Sequence, residues 1–299
     1  MATIGMVGLG AMGAPMARNL LKAGHTLKVC DKAEAAVDAL AADGAQPAPR
    51  DSVARDVDAV VTMLRTGEDV TAVLTDDAGL LAQAAKGTLF IDSSTIDIKT
   101  ARTLSARAAA AGMAMIDAPV SGGVPGAEAG TLSFMVGGEK EVVSRARPIL
   151  EAMGRSIVHV GPAGAGQAAK ICNNMILGIT TIAVAEAFRL GDRLGLEAET
   201  LYKIVSESSG NCWVLNHNHP VPGLVPTSAA NQGYRPGFSS ALMLKDLLLS
   251  QDAARHCGAS TPLGARAAEL YEAFVRDGHG GLDFGAIIER IESEEHNPD

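Results

Sequence analysis

The 299-residue sequence has few aromatic side chains. They make up 3% of the chain, so the core must be built from aliphatic residues, and the frequent alanine among them favours helix. Hydrophobic residues make up 47% of the sequence, which supplies a full core and excludes a disordered chain. Because one domain usually has about 100–200 residues, two domains are expected.

No segment of the chain concentrates basic charge. The formal net charge is −9, and lysine and arginine form no stripe. Proteins that bind nucleic acid gain much of their affinity by neutralising phosphates with such stripes. We therefore expect no nucleic-acid partner.

The cysteines form no pair with the spacing of a metal or redox motif. They lie at Cys30, Cys172, Cys212 and Cys257, and no C-x-x-C motif occurs. No metal site is expected, since no histidine has ligand spacing with a carboxylate or thiol either. Four unpaired thiols are typical of a cytoplasmic protein.

The chain also has no long uninterrupted apolar run. A membrane span needs about 20 consecutive apolar residues, and the nearest candidate, residues 171–187, is interrupted by Asn173, Asn174 and Glu186. We interpret it as a buried helix and expect no membrane partner. The first predicted strand starts next to Met1, so we expect no signal peptide.

Short apolar runs alternate with helical segments through the first half of the chain. Strands at Thr3–Val7 and Thr26–Cys30 enclose a helical segment that stops at Gly24, and the alternation continues to residue 160. Such alternation predicts βαβ units and a mostly parallel sheet whose two faces are both covered.

After residue 161 only helical segments follow, the first of them spanning residues 165–194. We predict an α/β fold, with an N-terminal Rossmann-type, doubly wound, mostly parallel sheet in residues 1–162. An all-α C-terminal domain follows in residues 163–299, joined by the long interdomain helix. Residues 211–238 are irregular and rich in Pro, Asn, His and Gly, and a loop of this length is usually functional.

A glycine-rich motif follows the first strand and opens the first helix. In G-x-G-x-x-G the glycines permit a tight turn, let the backbone approach a pyrophosphate, and pack the helix closely on the strand. The motif alone is weak, but here strand, helix and a later acidic residue are all present. Its residues are Gly8, Leu9, Gly10, Ala11, Met12 and Gly13.

The acidic residue is Asp31, at the end of the second strand. Its carboxylate can accept hydrogen bonds from ribose hydroxyls and would repel a 2′-phosphate, which favours NAD over NADP. Lys32, the next residue, weakens that preference slightly.

Two further strand ends should face the same crevice, because ligands bind at the carboxyl ends of parallel strands. Met63 and Leu64 end one strand, and Ser93, Ser94 and Thr95 follow another. The two serines can either cap the next helix or contact a ligand, and the sequence does not favour one role over the other. For Thr95 we predict ligand contact.

The segment Ser121-Gly122-Gly123 follows another strand. Consecutive glycines can turn backbone N–H groups towards an anion, with the serine hydroxyl beside them, which suits a substrate carboxylate. An ordinary glycine-rich turn is the alternative.

Lys170 and Asn174 lie four residues apart on the long, mostly apolar helix and so share one face. Burial lowers the pKa of a lysine and makes it a plausible acid or base. The alternative is a lysine that reaches the surface along its aliphatic stem.

Other charged or polar candidates have weaker signals. Lys245 and Asp246 form a charged pair early in a later helix, which is most often a solvated face. Glu128, His217 and His219 are also candidates.

Taken together, these residues resemble the β-hydroxyacid dehydrogenase family, over essentially the whole chain. The irregular segment, with Trp213, Tyr234 and Phe238, is similar to that of the members that act on 3-hydroxyisobutyrate. The matching blocks are Gly8 to Met16, Asp117 to Gly123, Gly164 to Asn174, and Lys245-Asp246.

The resemblance implies roles for individual residues. It implies that Lys170 is the catalytic acid/base, that Ser121, Gly122 and Gly123 bind the substrate carboxylate, and that Asn174 positions substrate and lysine. It also implies NAD-dependent oxidation of 3-hydroxyisobutyrate to methylmalonate semialdehyde, a step of valine breakdown, in a homodimer or homotetramer built through the helical domain. Further implied contacts are Leu64, Thr95 and Lys245 for the cofactor and Asp246 and Phe238 for the substrate.

Three alternatives remain open at this point. A relative acting on L-serine, 3-hydroxypropionate or tartronate semialdehyde would use the same residues. A non-catalytic NAD-binding regulatory protein would be expected to lack Lys170 or the serine-glycine segment, and both are present. An imine reductase on the same fold would usually replace the lysine.

Overall fold

Contacts within the chain divide it into two units, Met1–Lys170 and Ile171–Asp299, in a computed structural model that describes residues 1–76 and 79–294. The predicted domain boundary after residue 162 lies in the turn before the long helix. The contacts place the first residues of that helix with the first unit.

The described part of the first unit contains one nine-stranded sheet. Its strands are β1 (Thr3–Val7), β2 (Thr26–Cys30), β3 (Gln46–Pro47), β4 (Ala59–Thr62), β5 (Leu89–Asp92), β6 (Ala114–Asp117), β7 (Val120–Ser121), β8 (Leu132–Gly137) and β9 (Gly154–Gly161).

The strand order is β3-β2-β1-β4-β5-β6-β8-β7, and β9 pairs with β8. Strands β1 to β6 pair in parallel, whereas β8 runs antiparallel to β6 and β7. The order reverses at β1 and β4, the switch point at which doubly wound sheets bind nucleotides. The predicted Rossmann-type, mostly parallel sheet is therefore confirmed.

Seven helices cover this sheet within the described residues. They are α1 (Gly13–Lys22), α2 (Glu34–Ala42), α3 (Gly67–Thr75), α4 (Leu80–Gln83), α5 (Ile98–Ala110), α6 (Gly123–Ala129) and α7 (Lys140–Glu151). Every residue of β4 and β5 is buried. Two separate apolar clusters form on the sheet, as expected where both faces are covered.

Several short elements of this unit were not predicted. Helix α3 is capped by Thr66, whose hydroxyl accepts a hydrogen bond from the Asp69 N–H, and it buries Val70 and Leu74. Helix α6 contains Pro125 and little that favours helix, and its stability comes from packing instead. The cap of α3 is therefore a local signal that the sequence analysis did not use, whereas α6 depends on contacts with α1, which lies far earlier in the chain.

The second unit is helical, as predicted. Its helices are the long α8 (Ala165–Arg193, shared with the first unit), α9 (Ala198–Ser206), α10 (Trp213–His217), α11 (Ser240–Cys257), α12 (Pro262–Phe274) and α13 (Ile287–Glu294). Helix α12 ends at Phe274, where a π-helical turn with Gly278 at φ +98° follows.

The irregular segment is ordered by side chains that bond to the backbone. Asp283 accepts hydrogen bonds from the Asn218 side chain and from the N–H groups of Gly237, Phe238 and Gly285. Burial raises the pKa of Asp283. One carboxylate thus ties Asn218, inside the segment, and the C-terminal end of the segment to the start of the last helical region.

Among the described helices, α8 alone has the length and apolar composition of a helix that could cross a membrane. A core helix of a soluble protein has the same two properties, and 44% of its most apolar 18-residue window is buried in protein.

Candidate active site

The glycine-rich turn between β1 and α1 has three glycines in three different surroundings. A Cβ on Gly8 (φ +93°) would lie 2.2 Å from the Met63 carbonyl oxygen, and one on Gly13 would lie 1.9 Å from the Gly8 carbonyl oxygen. A Cβ on Gly10 would meet nothing within 4 Å. Two glycines are therefore required by the fold, whereas Gly10 leaves open space for a pyrophosphate.

The remaining motif residues differ in exposure and position. Leu9 is buried and Ala11 exposed, and Met12 stands just before the first helical residue of α1.

Asp31 is fixed at the end of β2 by two backbone hydrogen bonds. The N–H of Leu9 donates to one carboxylate oxygen at 2.6 Å, and the N–H of Ala33 donates to the other at 2.8 Å. Each oxygen keeps a lone pair for a ribose hydroxyl. The hydrogen bond from Leu9 thereby joins the acid directly to the glycine turn.

The neighbouring strand ends meet as predicted. The N–H of Leu64, after β4, donates to the Ser94 hydroxyl at 2.9 Å, after β5. Ser94 is buried and Thr95 is half-buried. The Ser94 hydroxyl therefore joins the loops that follow β4 and β5. This role differs from both predicted ones, helix capping and ligand contact.

Gly122 and Gly123 both have positive φ, at +128° and +61°, where other residues are strained. They follow Ser121, the last residue of β7, and α6 begins at Gly123. The backbone thus turns sharply at this point, as a cradle for an anion requires. Glu128, further along α6, is exposed.

Lys170 is buried, with 7% of its surface exposed. The alternative that it reaches the surface is therefore wrong. Asn174, one turn further along α8, is 1% exposed. A buried lysine on a helix that starts at the carboxyl edge of the sheet is suited to proton transfer.

The start of α8 depends on Asp117, at the end of β6. Its two carboxylate oxygens accept hydrogen bonds from the N–H groups of Gly164 at 2.7 Å and Gln167 at 2.9 Å. No Ser, Thr, Asp or Asn precedes α8 in residues 161–164, so the cap comes from a distant strand. The absence of a capping residue just before α8 is the signal that could have pointed to a cap from elsewhere in the chain, which the structure shows to be Asp117.

Asp117 pairs in register with Asp92 on the adjacent strand β5. Burial raises the pKa of Asp92 to about 6, against hydrogen bonds from Ser94 and Thr62, and Asp117 nearby adds to the rise. Burial likewise raises the pKa of Asp117. The site edge therefore holds two buried acids that sequence reasoning did not single out.

In the second unit, Asp246 connects two predicted residues. The Asn174 amide donates to one of its carboxylate oxygens, and the Lys245 ammonium lies 3.2 Å from the other. The Asp246 side chain is 2% exposed, so the alternative of a solvated charged pair is wrong for it. A buried carboxylate such as that of Asp246 stays charged only where it is paired, and Lys245 supplies the opposite charge.

The other predicted pocket residues differ in their surroundings. Phe238 packs edge-on against Phe284, with ring centroids 6.0 Å apart, whereas Trp213 is 55% exposed and stacks on the exposed His217. The Tyr234 hydroxyl donates to the Pro220 carbonyl.

His219 is fully buried between two aromatic rings. Its Nδ1 accepts from the Val221 N–H, and its ring lies edge-on to Phe188 and Tyr202. Burial lowers the pKa of His219 to about 4. It is a neutral structural side chain.

Across residues 1–76 and 79–294, no group of three or more His, Cys, Asp or Glu could hold a metal ion.

Two family models together match most of the chain. Residues 3–161 match the family model for the NAD-binding domain of 6-phosphogluconate dehydrogenase. Residues 164–291 match the model described as NAD-binding of NADP-dependent 3-hydroxyisobutyrate dehydrogenase.

Individual relatives are similar over nearly their full length. A probable 3-hydroxyisobutyrate dehydrogenase of Mycobacterium tuberculosis is 52% identical, covering 97% of this chain and 98% of the relative. An NAD-dependent L-serine dehydrogenase of Pseudomonas aeruginosa is 48% identical, covering 96% and 97%. A solved structure of Mycobacterium tuberculosis 3-hydroxyisobutyrate dehydrogenase with L-serine has a TM-score of 0.91 and 50% identity, covering 97% and 99%.

The glycine turn, Asp31 and the strand order define an NAD-dependent oxidoreductase. The chain belongs to the β-hydroxyacid dehydrogenase family, which includes the 6-phosphogluconate and 3-hydroxyisobutyrate dehydrogenases. It is an NAD-dependent hydroxyacid dehydrogenase, and the predicted family and cofactor are confirmed.

Proposed function

We propose that this dehydrogenase oxidises 3-hydroxyisobutyrate to methylmalonate semialdehyde, the step of valine breakdown. The observation that carries the proposal is the buried Lys170 on a helix whose start is fixed by Asp117 at the carboxyl edge of the sheet. The name of the Mycobacterium tuberculosis relative supports the choice of substrate.

The roles of the residues follow from their chemistry. The Ser121 hydroxyl and the N–H groups of Gly122 and Gly123 donate hydrogen bonds to the substrate carboxylate and so fix the reacting carbon. Lys170, neutral in the oxidative direction, accepts the proton of the substrate hydroxyl. NAD held by the first unit would supply the acceptor for the hydride that leaves the alcohol carbon. Positioning of this kind supplies several kcal/mol of the rate enhancement.

Cofactor binding is assigned to the first unit. Gly8, Gly10 and Gly13 admit the pyrophosphate with the backbone of Leu9, Ala11 and Met12, and Asp31 accepts from the ribose. Met63, Leu64 and Thr95 line the same edge. The open space at Gly10 supports this assignment.

In the helical unit, Asn174 orients the substrate and the lysine one turn before it on α8. Asp246 holds the Asn174 amide and balances the charge of Lys245, which we assign to both cofactor and substrate binding. Phe238 is assigned to the substrate pocket.

L-serine is the second candidate substrate. One relative is named as an L-serine dehydrogenase, and the solved relative is described with L-serine. Ser121 to Gly123 and Lys170 would serve any small 3-hydroxy acid, including 3-hydroxypropionate and, in reverse, tartronate semialdehyde.

The deciding experiment measures initial rates of NADH production with 3-hydroxyisobutyrate, L-serine, 3-hydroxypropionate and D-glycerate at saturating NAD. We expect kcat/KM for 3-hydroxyisobutyrate to exceed the others by about tenfold, because one extra methylene in an apolar pocket contributes about 1–3 kcal/mol. A panel led by L-serine would replace the proposed substrate and keep the family.

We also propose a cytoplasmic homodimer or homotetramer assembled through the helical unit. Large apolar side chains are exposed mainly on that unit, and exposed apolar patches mark association sites. They are Ile176, Leu190, Leu194, Leu196, Ile204, Trp213, Leu242, Leu248 and Leu263. Light scattering behind size exclusion should give at least twice the 30.7 kDa of one chain; a monomer would contradict the proposal.

A further inference from the structure

Gln167 is fully buried in the first turns of α8, and its amide is used at both ends. Its Nε2 donates to the Ser94 carbonyl at 2.8 Å, and its Oε1 accepts from the Ile96 N–H at 3.1 Å. A backbone N–H must face the amide oxygen and a carbonyl must face the amide nitrogen, so the orientation of the amide is fixed by its partners.

The two groups that Gln167 holds lie on either side of Thr95, the residue assigned to the cofactor. Three residues after Gln167 on the same helix stands Lys170. One side chain therefore joins the loop that receives the cofactor to the helix that carries the lysine. Its own backbone N–H donates to Asp117, so β6 is tied into the same point.

We propose that Gln167 is a positioning residue that holds the Thr95 loop and the Lys170 turn of α8 in one fixed geometry. The proposal rests on the proposed function, because it takes Thr95 as a cofactor contact and Lys170 as the acid/base. Glutamine offers a donor and a strong acceptor at this length, whereas an ionised Glu lacks the donor and Met has only a weakly accepting sulfur.

The loop has further attachments that do not involve Gln167. The Ser94 N–H donates to Asp92 at 3.2 Å, and the Ser94 hydroxyl accepts from the Leu64 N–H. A variant of Gln167 therefore keeps the sheet and the β5 loop connected while it releases the Ile96 side of Thr95. We expect altered geometry in a folded protein.

Two variants test the role. Gln167→Met keeps the length and apolar volume and removes both hydrogen bonds. We expect the Kd for NAD, measured without substrate, to rise about tenfold and kcat to fall about tenfold to a hundredfold, because small displacements in an active site have effects of this size.

Gln167→Glu adds a readout that a merely structural role would not move. Ionised, its second oxygen faces the Ser94 carbonyl oxygen and repels it; protonated, its O–H can donate there. Burial and the nearby Asp92 and Asp117 raise the pKa of this carboxyl, while Lys170 opposes them. Relative to the unsubstituted enzyme, its NAD affinity and kcat should recover between about pH 9 and about pH 6, and those of Gln167→Met should not.

Gln251→Glu is the matched control, since Gln251 is a half-buried helical glutamine whose Oε1 accepts from Thr261. It should show neither the loss of NAD affinity nor the recovery at low pH. Native circular dichroism at the assay temperature establishes that each variant is folded.

Folded Gln167 variants with unchanged Kd and kcat would overturn the proposal, as would the same pH dependence in the Glu and Met variants. NAD affinity is measured without substrate, so it tests the positioning role of Gln167 even if another hydroxy acid proves to be the substrate. Failure of the proposed function would show instead in the substrate panel.

Discussion

The two units present their candidate site residues by different means. In the first unit, the backbone does most of the binding: glycines leave space or N–H groups available, and Asp31 is held by two backbone donors. In the second, side chains on two helices hold one another: the buried Asn174 of α8 bonds to the buried Asp246 of α11, which also pairs with its half-buried neighbour Lys245.

This difference explains which parts of each site tolerate change. A backbone site depends on the conformation of a few positions, so a single methyl group can abolish it. A side-chain cluster depends on complementary partners, so removing one leaves a buried polar group unsatisfied. Lys170 is the exception in the first unit, because its side chain is itself the reacting group in the proposed mechanism.

Removing Lys170 should give the largest effect. Lys170→Ala should lower kcat by about 100- to 10,000-fold while NAD still binds, because general acid–base catalysis contributes that much. Lys170→Arg should be equally inactive, since arginine stays protonated. Steady-state rates and NAD titration measure both, with exposed Lys203→Ala as control. Near-normal turnover in either variant would refute the assignment.

The glycine turn offers the sharpest test of the backbone site. Gly10→Ala should melt like the unsubstituted protein but bind NAD about tenfold more weakly or worse, because its Cβ enters open space that the cofactor needs. Gly13→Ala should lose stability by about 1–3 kcal/mol or more, because its Cβ would overlap the Gly8 carbonyl. Thermal melts and NAD titration separate the two; equal stability losses would contradict the division.

The next effect concerns cofactor choice. Asp31→Ala combined with Lys32→Arg should shift the ratio of kcat/KM for NAD over NADP towards NADP by about tenfold or more, since the repulsive carboxylate is removed and arginine can bind the 2′-phosphate with two hydrogen bonds. Lys32→Arg alone is the control. An unchanged ratio in the double variant would remove the role given to Asp31.

A smaller effect is expected in the side-chain cluster. Asp246→Ala leaves the Asn174 amide without the acceptor it has now, at a cost of about 1–3 kcal/mol. Asp246→Asn keeps an acceptor oxygen and should retain more activity and stability than Asp246→Ala. Melting temperature and kcat/KM test the order; indistinguishable variants would show that the carboxylate does not hold Asn174.

The smallest effects are opposite pH trends in the two units. The pKa of Asp92 rises from 3.8 to about 6 on folding, so the folded state binds more protons than the unfolded state between these two pH values. The free energy of unfolding therefore falls as the pH rises from 3.8 to about 6. The pKa of His219 falls from 6.5 to about 4, so stability falls as pH drops from 6.5 towards 4.

Each trend can be removed separately. Asp92→Asn should flatten the first, and His219→Asn, which keeps an acceptor near the Nδ1 position, should flatten the second. Melting temperatures across the pH windows given above measure both. A variant that leaves its slope unchanged would show that the group does not titrate as described.

The sequence predicted what is local and repetitive. The strands of the parallel sheet, the glycine turn and the long helix all produce patterns within about ten to thirty residues. The strands predicted at Thr3–Val7 and Thr26–Cys30 begin and end at the same residues in the structure.

What the sequence did not reveal depends on partners far along the chain. Helix α6 forms from glycine, proline and alanine because it packs against α1, where the Asn19 amide donates to the Ala127 carbonyl. Likewise, no local feature shows that Gln167 reaches Ser94 and Ile96, more than 70 residues earlier. The resemblance implied which residues form the site, and the structure shows which of these residues bond to one another.

The cap that Asp117 provides to α8 has a consequence for the order of folding. Gly164 and Gln167 follow Asp117 in the chain by 47 and 50 residues, and their amides find this acceptor only when β6 has joined the sheet. During synthesis the first turn of α8 can therefore become stable only after the sheet has formed. In hydrogen exchange these two amides should open together with the strands and not with the rest of the long helix.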